Sequence, residues 1–166
     1  MLNALSIRDI VLIEKLDVLL SGGMTVLTGE TGAGKSILLD ALGLALGARG
    51  AASLVRSGAD KGMVTAAFSF PLPAKVHELL DEHGVEADSE LVIRRIQTKD
   101  GPSRAFINDQ PVSVNLLKQV GGLLAEIHGQ HDDRALMDVA GHRHLVDVYG
   151  GLEKQCAVVS KAWAAS

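Results

Sequence analysis

Apolar positions along the chain fall into short blocks whose spacing predicts a mixture of strands and helices. Ala4 to Ile13 and Leu16 to Leu20, rich in Ile, Val and Leu and parted by Glu14-Lys15, predict two paired strands. Ser21-Gly22-Gly23 predicts a turn. Met24 to Thr28, short and containing β-branched residues, predicts a buried strand. Ser36 to Leu46, apolar on nearly every side with Asp40 its one charge, predicts a buried helix. Gly47 to Gly62 is loop-like, interrupted by Leu54-Val55-Arg56. Met63 to Phe70 predicts a strand closed by Pro71 and Pro73, and Pro73 to His83 an amphipathic helix stopped by Gly84, with Val76, Leu79 and Leu80 on one side.

Further on, Leu91 to Gln97 and Ser103 to Ile107 flank Lys99-Asp100-Gly101-Pro102, and Asp-Gly between apolar runs predicts a hairpin. Val112 to Ile127 predicts a helix through the spacing of Leu116, Leu117, Val120, Leu123 and Leu124, a prediction that Gly121-Gly122 weakens. After His128-Gly129-Gln130-His131 the pattern changes. Leu145, Val148, Leu152, Gln155, Val159 and Ala162 alternate steps of three and four, as in a heptad repeat, with Gly150-Gly151 as an interruption. A terminal helix packed on the domain fits that spacing as well as the first turns of a coiled coil does. The lack of a stop signal up to Ser166 favours the second, and divides the chain into residues 1–135 and 136–166.

Between the predicted strand at Met24 to Thr28 and the helix lies Gly29-Glu30-Thr31-Gly32-Ala33-Gly34-Lys35-Ser36, which fits the phosphate-binding loop spacing of Gly, four free positions, then Gly-Lys-Ser. Glycines let the backbone bring its N–H groups close to a polyphosphate. Lys35 can meet the β and γ phosphates, and the Ser36 hydroxyl can ligate the Mg2+ that bridges them. A helix beginning near Gly34 adds the positive end of its dipole. Strand, loop and helix follow in the order this chemistry requires.

Composition narrows the picture. With 166 residues and 47% hydrophobic content the chain can build one real core, and with 3% aromatics that core must be aliphatic. The net charge of −4, from 16 basic and 20 acidic residues, gives no whole-domain field for nucleic acid, though it allows a local basic patch. A single cysteine, Cys156, excludes an internal disulfide and is best taken as a small apolar filler. No signal peptide or bilayer-length apolar run is present, so no membrane role and a cytoplasmic location are expected. His128, His131 and Asp132, even with His142 and His144, lack recognised metal-site spacing and fit hydrogen-bonded loop histidines better. Arg94, Arg95, Lys99 and Arg104 surround the predicted hairpin, where a solvated strand face is weighed against contact with a DNA backbone.

Several segments together carry a family likeness: Gly29 to Ser36 with Leu39-Asp40-Ala41-Leu42-Gly43-Leu44-Ala45-Leu46-Gly47, then Val55-Arg56-Ser57-Gly58, Ser103-Arg104-Ala105-Phe106-Ile107-Asn108 and Ile127-His128-Gly129-Gln130-His131. In order, from Leu2 to about Tyr149, they resemble the SMC-like, ABC-type ATPase family in its bacterial DNA-repair branch. The resemblance implies an α/β P-loop NTPase fold, the amino-terminal lobe of an SMC/ABC-type ATPase head with antiparallel strands plus the start of a coiled-coil helix. It implies ATP and Mg2+ as cofactors, and as partners the carboxy-terminal half of the same head, a second head in an ATP-bound dimer, and DNA through the complete protein. The implied role is in repair of DNA double-strand breaks and recombination, associated with the nucleoid.

Carried onto this sequence, Gly29, Glu30, Thr31, Gly32, Ala33, Gly34, Lys35 and Ser36 form the ATP-binding loop, and Lys35, Gln130 and Arg56 take catalytic positions. Gln130 matches the Q-loop glutamine, a ligand of Mg2+ and water beside Ser36, and Arg56 the arginine placed near nucleotide or DNA. Asp109 departs from the glycine that many relatives have after Asn108, which bears on the turn type. The acidic pair and the signature Ser-Gly-Gly that ABC-type hydrolysis needs are not visible, so the chain is expected to bind ATP without cleaving it efficiently. A stand-alone P-loop GTPase or kinase is the alternative. Asp138-Val139-Ala140-Gly141 fits Asp-x-x-Gly, but no guanine-reading Asn-Lys-x-Asp exists.

Overall fold

The computed structural model of the protein describes residues 1–28, 33–87, 89–127, 146–147 and 149–164. The chain divides into two compact units, Met1–Ile127 and His128–Ser166. The expected boundary between residues 135 and 136 lies outside the described residues.

In the first unit, six strands form one antiparallel sheet: β1 (Leu2–Ile10), β2 (Ile13–Leu19), β3 (Lys61–Ser69), β4 (Glu90–Thr98), β5 (Arg104–Ile107) and β6 (Gln110–Val112), in the order β2-β1-β3-β4-β5-β6. Its helices are α1 (Ala33–Ala45), α2 (Ala74–Glu82) and α3 (Val114–Leu124), with a 3-10 turn at Ala52–Leu54. β3 and β4 alternate strictly between buried and less buried positions, the signature of a sheet with one covered face. That face carries Leu5, Ile7, Val64, Ala66, Phe68, Leu91, Ile93 and Ile107, which form one core with Ile37, Ala41 and Leu44 of α1, Val76 and Leu80 of α2, and Leu116, Leu117 and Val120 of α3. Each fully buried Leu or Ile contributes roughly 1.5–3 kcal/mol. As the composition required, the core is aliphatic, Phe68 being the one aromatic among the fully buried side chains described.

Most predicted elements are present, and the departures have physical reasons. The first two strands are not divided at Glu14-Lys15, since the reversal occurs at Val11-Leu12 and both charged residues sit inside β2. β2 is the sheet's edge, where charges are tolerated and discourage further pairing. On it Asp17 accepts hydrogen bonds from Arg8 Nη2 at 2.8 and 2.9 Å and from Ser6 Oγ at 2.8 Å. Those donors, Arg8 first, hold its carboxyl below the ordinary aspartate value.

The buried strand expected at Met24 to Thr28 is not formed. Residues 24–28 have no strand structure, and Met24, Val26 and Leu27 are 94%, 71% and 49% exposed. β-Propensity describes fit to a neighbouring strand, and each of the six strands pairs within the sheet without using this segment.

The short β6 was missed because Asn108-Asp109 was not recognised as a complete two-residue turn. Both residues have positive φ, 44° and 64°, as the mirror-type hairpin turn requires, and Asn and Asp tolerate that region. Asn108 Oδ1 accepts from the Val92 N–H at 2.8 Å, and its Nδ2 donates to the Glu86 carbonyl at 2.7 Å. Asp109 in place of glycine thus keeps the turn.

Gly121-Gly122 does not break α3, which starts at Ser113, whose side chain accepts from the Leu116 N–H at 3.1 Å. A Cβ on Gly121 would lie 2.3 Å from the Leu46 carbonyl oxygen, and one on Gly47 2.5 Å from Lys118 Cα. The glycines let the end of α1 lie directly on α3. In the second unit, α4 (Glu153–Ala164) exposes Val158, Val159 and Trp163.

Gly121→Ala is therefore expected to cost about 1–3 kcal/mol through overpacking. Gly122→Ala, whose Cβ meets nothing within 4 Å, should be neutral or stabilise by up to about 1 kcal/mol. Urea unfolding of the two variants checks this, and equal midpoints would remove the close-approach argument.

Candidate functional site

α1 begins at Ala33, so Ala33, Gly34, Lys35 and Ser36 make up its first turn. The opening N–H groups of a helix have no partner within it and carry the positive end of its dipole. Gly34 and Ser36 are exposed, and a Cβ placed on Gly34 would meet nothing within 4 Å. That opening suits the approach of an anionic group. The same helix is anchored by Ile37, Ala41, Leu44 and Ala45, all at most 7% exposed. One end of α1 is thus open while its body is fixed against β1, β3 and β4.

Gly29, Glu30, Thr31 and Gly32 lie outside the described residues, as do Gln130, the histidines at 128, 131, 142 and 144, and Asp132. Among the described residues no group of His, Cys, Asp and Glu is arranged to hold a metal ion. Of the two residues expected to ligate Mg2+, Ser36 is described, exposed at the helix start, and Gln130 is not.

Arg56 is held at the turn between β1 and β2. Its N–H donates to the Asp9 carbonyl at 3.0 Å, Nη2 lies 3.0 Å from Glu14 Oε2, and Nη1 lies 3.7 Å from Asp9 Oδ1. Val11 N–H donates to the Leu54 carbonyl at 2.9 Å, and Val55 bridges to Ile10. The turn they fasten has Asp9 and Val11 at φ 50° and 49°, a costly conformation for a β-branched residue. With 38% of its side chain exposed, Arg56 keeps a solvent-facing edge, while two carboxylates already compete for its charge. No hydrogen bond or ion pair among the described residues joins it to Gly34 or Ser36.

The hairpin arginines do not share one surface. Arg94 and Arg95 are successive in β4 and point to opposite faces. Arg94 pairs with Asp109 and lies over the Phe106 ring, 5.1 Å from its centroid. Arg95 is 2% exposed, so the expectation of a solvated or DNA-facing residue is wrong for it. Its Nε donates to Ser103 Oγ, its Nη1 has no partner, and burial pulls its pKa below the usual arginine value. Gln97, 5% exposed on the same side, donates to the Thr98 carbonyl at 2.9 Å and leaves Oε1 unpaired. This buried polar pair was missed, although Leu91, Ile93, Arg95 and Gln97 at alternate positions place it on the core face.

A family model for the AAA domain matches residues 4–128. The chain belongs to that family. Within it, this AAA domain is 46% identical over 151 residues to the DNA repair protein RecN of Vibrio cholerae, covering 91% of the chain and 27% of that relative. It is 39% identical over 159 residues to RecN of Bacillus subtilis (95% and 28%) and 37% identical over 152 residues to RecN of Rickettsia prowazekii (92% and 27%). The narrower resemblance carried by the five segments, to RecN, is borne out, and the GTPase or kinase alternative is not favoured. The chain spans a little over a quarter of the length of these curated relatives.

Among solved structures, an Smc head domain with an extended coiled coil from Pyrococcus furiosus matches with a TM-score of 0.68 at 21% identity, covering 99% of this chain and 45% of that one. The recombination mediator RecF, solved with ATP bound, matches at 0.52 and 17%, covering 68% and 27%. These likenesses establish the fold, an α/β P-loop ATPase of the SMC-head type, and that fold is one that binds nucleotide, generally with Mg2+. No described helix of the AAA domain is long and apolar enough to cross a membrane.

Ser103→Ala, which takes away the one described partner of the Arg95 guanidinium, is expected to cost roughly 1–3 kcal/mol. Arg95→Met removes the buried charge together with its need for a partner and should cost less. If chemical unfolding ranks the two in the opposite order, the buried guanidinium is a net source of stability.

Proposed function

We propose that the chain is the ATP-binding lobe of a RecN-like ATPase head acting in double-strand break repair and recombination. One observation carries this: α1 opens at Ala33 directly after the glycine-rich segment, with Gly34 and Ser36 exposed at its start and its body locked into the core. ATP sits on the main-chain N–H groups of residues 29–36, Lys35 meets the outer phosphates, and Ser36 and Gln130 ligate Mg2+. The metal, when bound, neutralises phosphate charge. Arg56 lies beside nucleotide or DNA after exchanging its carboxylate partners for phosphate.

The rest of the head comes from beyond this lobe. Residues 24–28 expose Met24, Val26 and Leu27 and have no strand neighbour, which supports the carboxy-terminal half of the head as the partner that completes the sheet there. A second head closes over the nucleotide, so ATP binding drives association and hydrolysis ends it, with DNA engaged by the complete protein on the nucleoid. Alone, the lobe binds ATP and cleaves it poorly, because phosphoryl transfer depends on positioned groups that the partners contribute. Residues 136–166, with α4, begin the coiled coil.

Lys35→Ala should weaken ATP binding at least about tenfold, the loss of a charge-assisted contact, with an unchanged unfolding midpoint. Titration of a fluorescent ATP analogue with Mg2+ reads this directly. Unchanged affinity in the variant, or preference for guanine over adenine nucleotides in the parent, would sink the assignment.

A further inference from the structure

The helices cover one face of the sheet, and the pairing register lays a basic line across the other. Lys15 lies opposite Arg8, Arg8 opposite Met63, Met63 opposite Ile96, and Ile96 opposite Arg104, so these five residues form one row over β2, β1, β3, β4 and β5. Lys61 lies on the same face two residues before Met63, opposite Thr98. Arg8 is committed to Asp17, whereas Lys15, Lys61 and Arg104 are exposed and make no salt bridge among the described residues. On the helix layer, α2 exposes Glu78, Asp81 and Glu82. The sheet face that bears the row also carries Asp17, paired with Arg8, and Glu90 at the far end of β4, so its uncommitted cations outnumber its uncommitted acids.

We infer that this sheet face, which no described helix of the first unit covers, docks the phosphate backbone of duplex DNA through Lys15, Lys61 and Arg104, with Met63 and Ile96 as the flat apolar floor between them. The inference rests on the reading of the chain as part of a DNA-repair ATPase, and it locates the DNA contact on this lobe. Five neighbouring strands span about 19 Å at about 4.8 Å per step. That length exceeds the roughly 12 Å width of a major groove, so cations near the two ends of the row reach phosphates on both sides of one groove. Cations held on strands keep fixed spacing, as contacts that position a duplex without reading its bases must. Arg95, buried on the opposite face, takes no part.

The test compares Lys61→Glu/Arg104→Glu with Lys75→Glu/Lys118→Glu, a pair of the same charge change on exposed positions of α2 and α3. Binding of the chain to a duplex of about forty base pairs is followed by fluorescence anisotropy over a range of salt, with ATP binding measured on the same samples. The sheet-face pair should lower the slope of log K against log salt by about two, while the helix-layer pair leaves it near the parent value. Equal losses in both variants, or a parent chain that does not bind duplex, overturns the inference. Displacement of the duplex by polyglutamate at equal charge overturns it too, in favour of an acidic protein partner. Retained ATP binding in any of these cases leaves the nucleotide assignment standing.

Discussion

Everything in the lobe depends on one conflict at the start of α1: a helix end that must stay open to charge belongs to a helix that must be buried. A capping side chain, water or an anion has to satisfy the first N–H groups, since no residue precedes them in the helix. The aliphatic body from Ile37 to Ala45 resolves the conflict by fixing the helix to three strands, so the open end is positioned without side chains of its own. The glycine contacts of Gly47 with Lys118 and of Gly121 with Leu46 extend this fixation to α3. Ile127, in the segment after α3, also approaches α1, its Cδ1 lying 3.8 Å from where a Gly43 Cβ would stand. The residues just before His128 are thus tied to the helix that opens the candidate nucleotide site.

Much of this was legible in the sequence, because the signals were local. Alternation in Met63 to Phe70 and Leu91 to Gln97, the amphipathic run from Val76 to Leu80, and the Gly-Lys-Ser spacing each depend on a few adjacent residues. What escaped depends on what lies across the fold. Gly121 counted against a helix that does form, because the carbonyl of Leu46, 75 positions earlier in the chain, cannot be seen beside it in the sequence. Arg95 looked like a surface cation because charge was weighed ahead of parity, although its neighbours Leu91 and Ile93 fix its side of the strand. Met24 to Thr28 has the composition of a strand, and composition says nothing of whether a neighbour is at hand. Of the candidate site, Ser36 lies in the first turn of α1, as the Gly-Lys-Ser spacing expects, whereas the turn that holds Arg56 between Asp9 and Glu14 has no signal in the sequence.

The two arginine arrangements on β4 show how one strand serves two environments. Arg94 spends its charge on Asp109 and the Phe106 ring at the surface. One residue on, Arg95 lies in the interior with a single neutral partner described, and burial draws its pKa below the usual arginine value. Polar groups left unpaired in a core are costly, and here they sit beside Gly50, where a Cβ would come within 2.2 Å of Gln97 Oε1. The loop after α1 thus comes close to the sheet at Gly50, where a larger residue would require the Gln97 side chain to move.

The bare segment from Met24 to Leu27 also bears on how such a chain survives its own synthesis. Sticky, unaccompanied backbone is a template for whatever edge it meets first, including that of another copy. The hazard lasts for as long as Met24, Val26 and Leu27 stay uncovered, and it grows with concentration because pairing between copies is bimolecular.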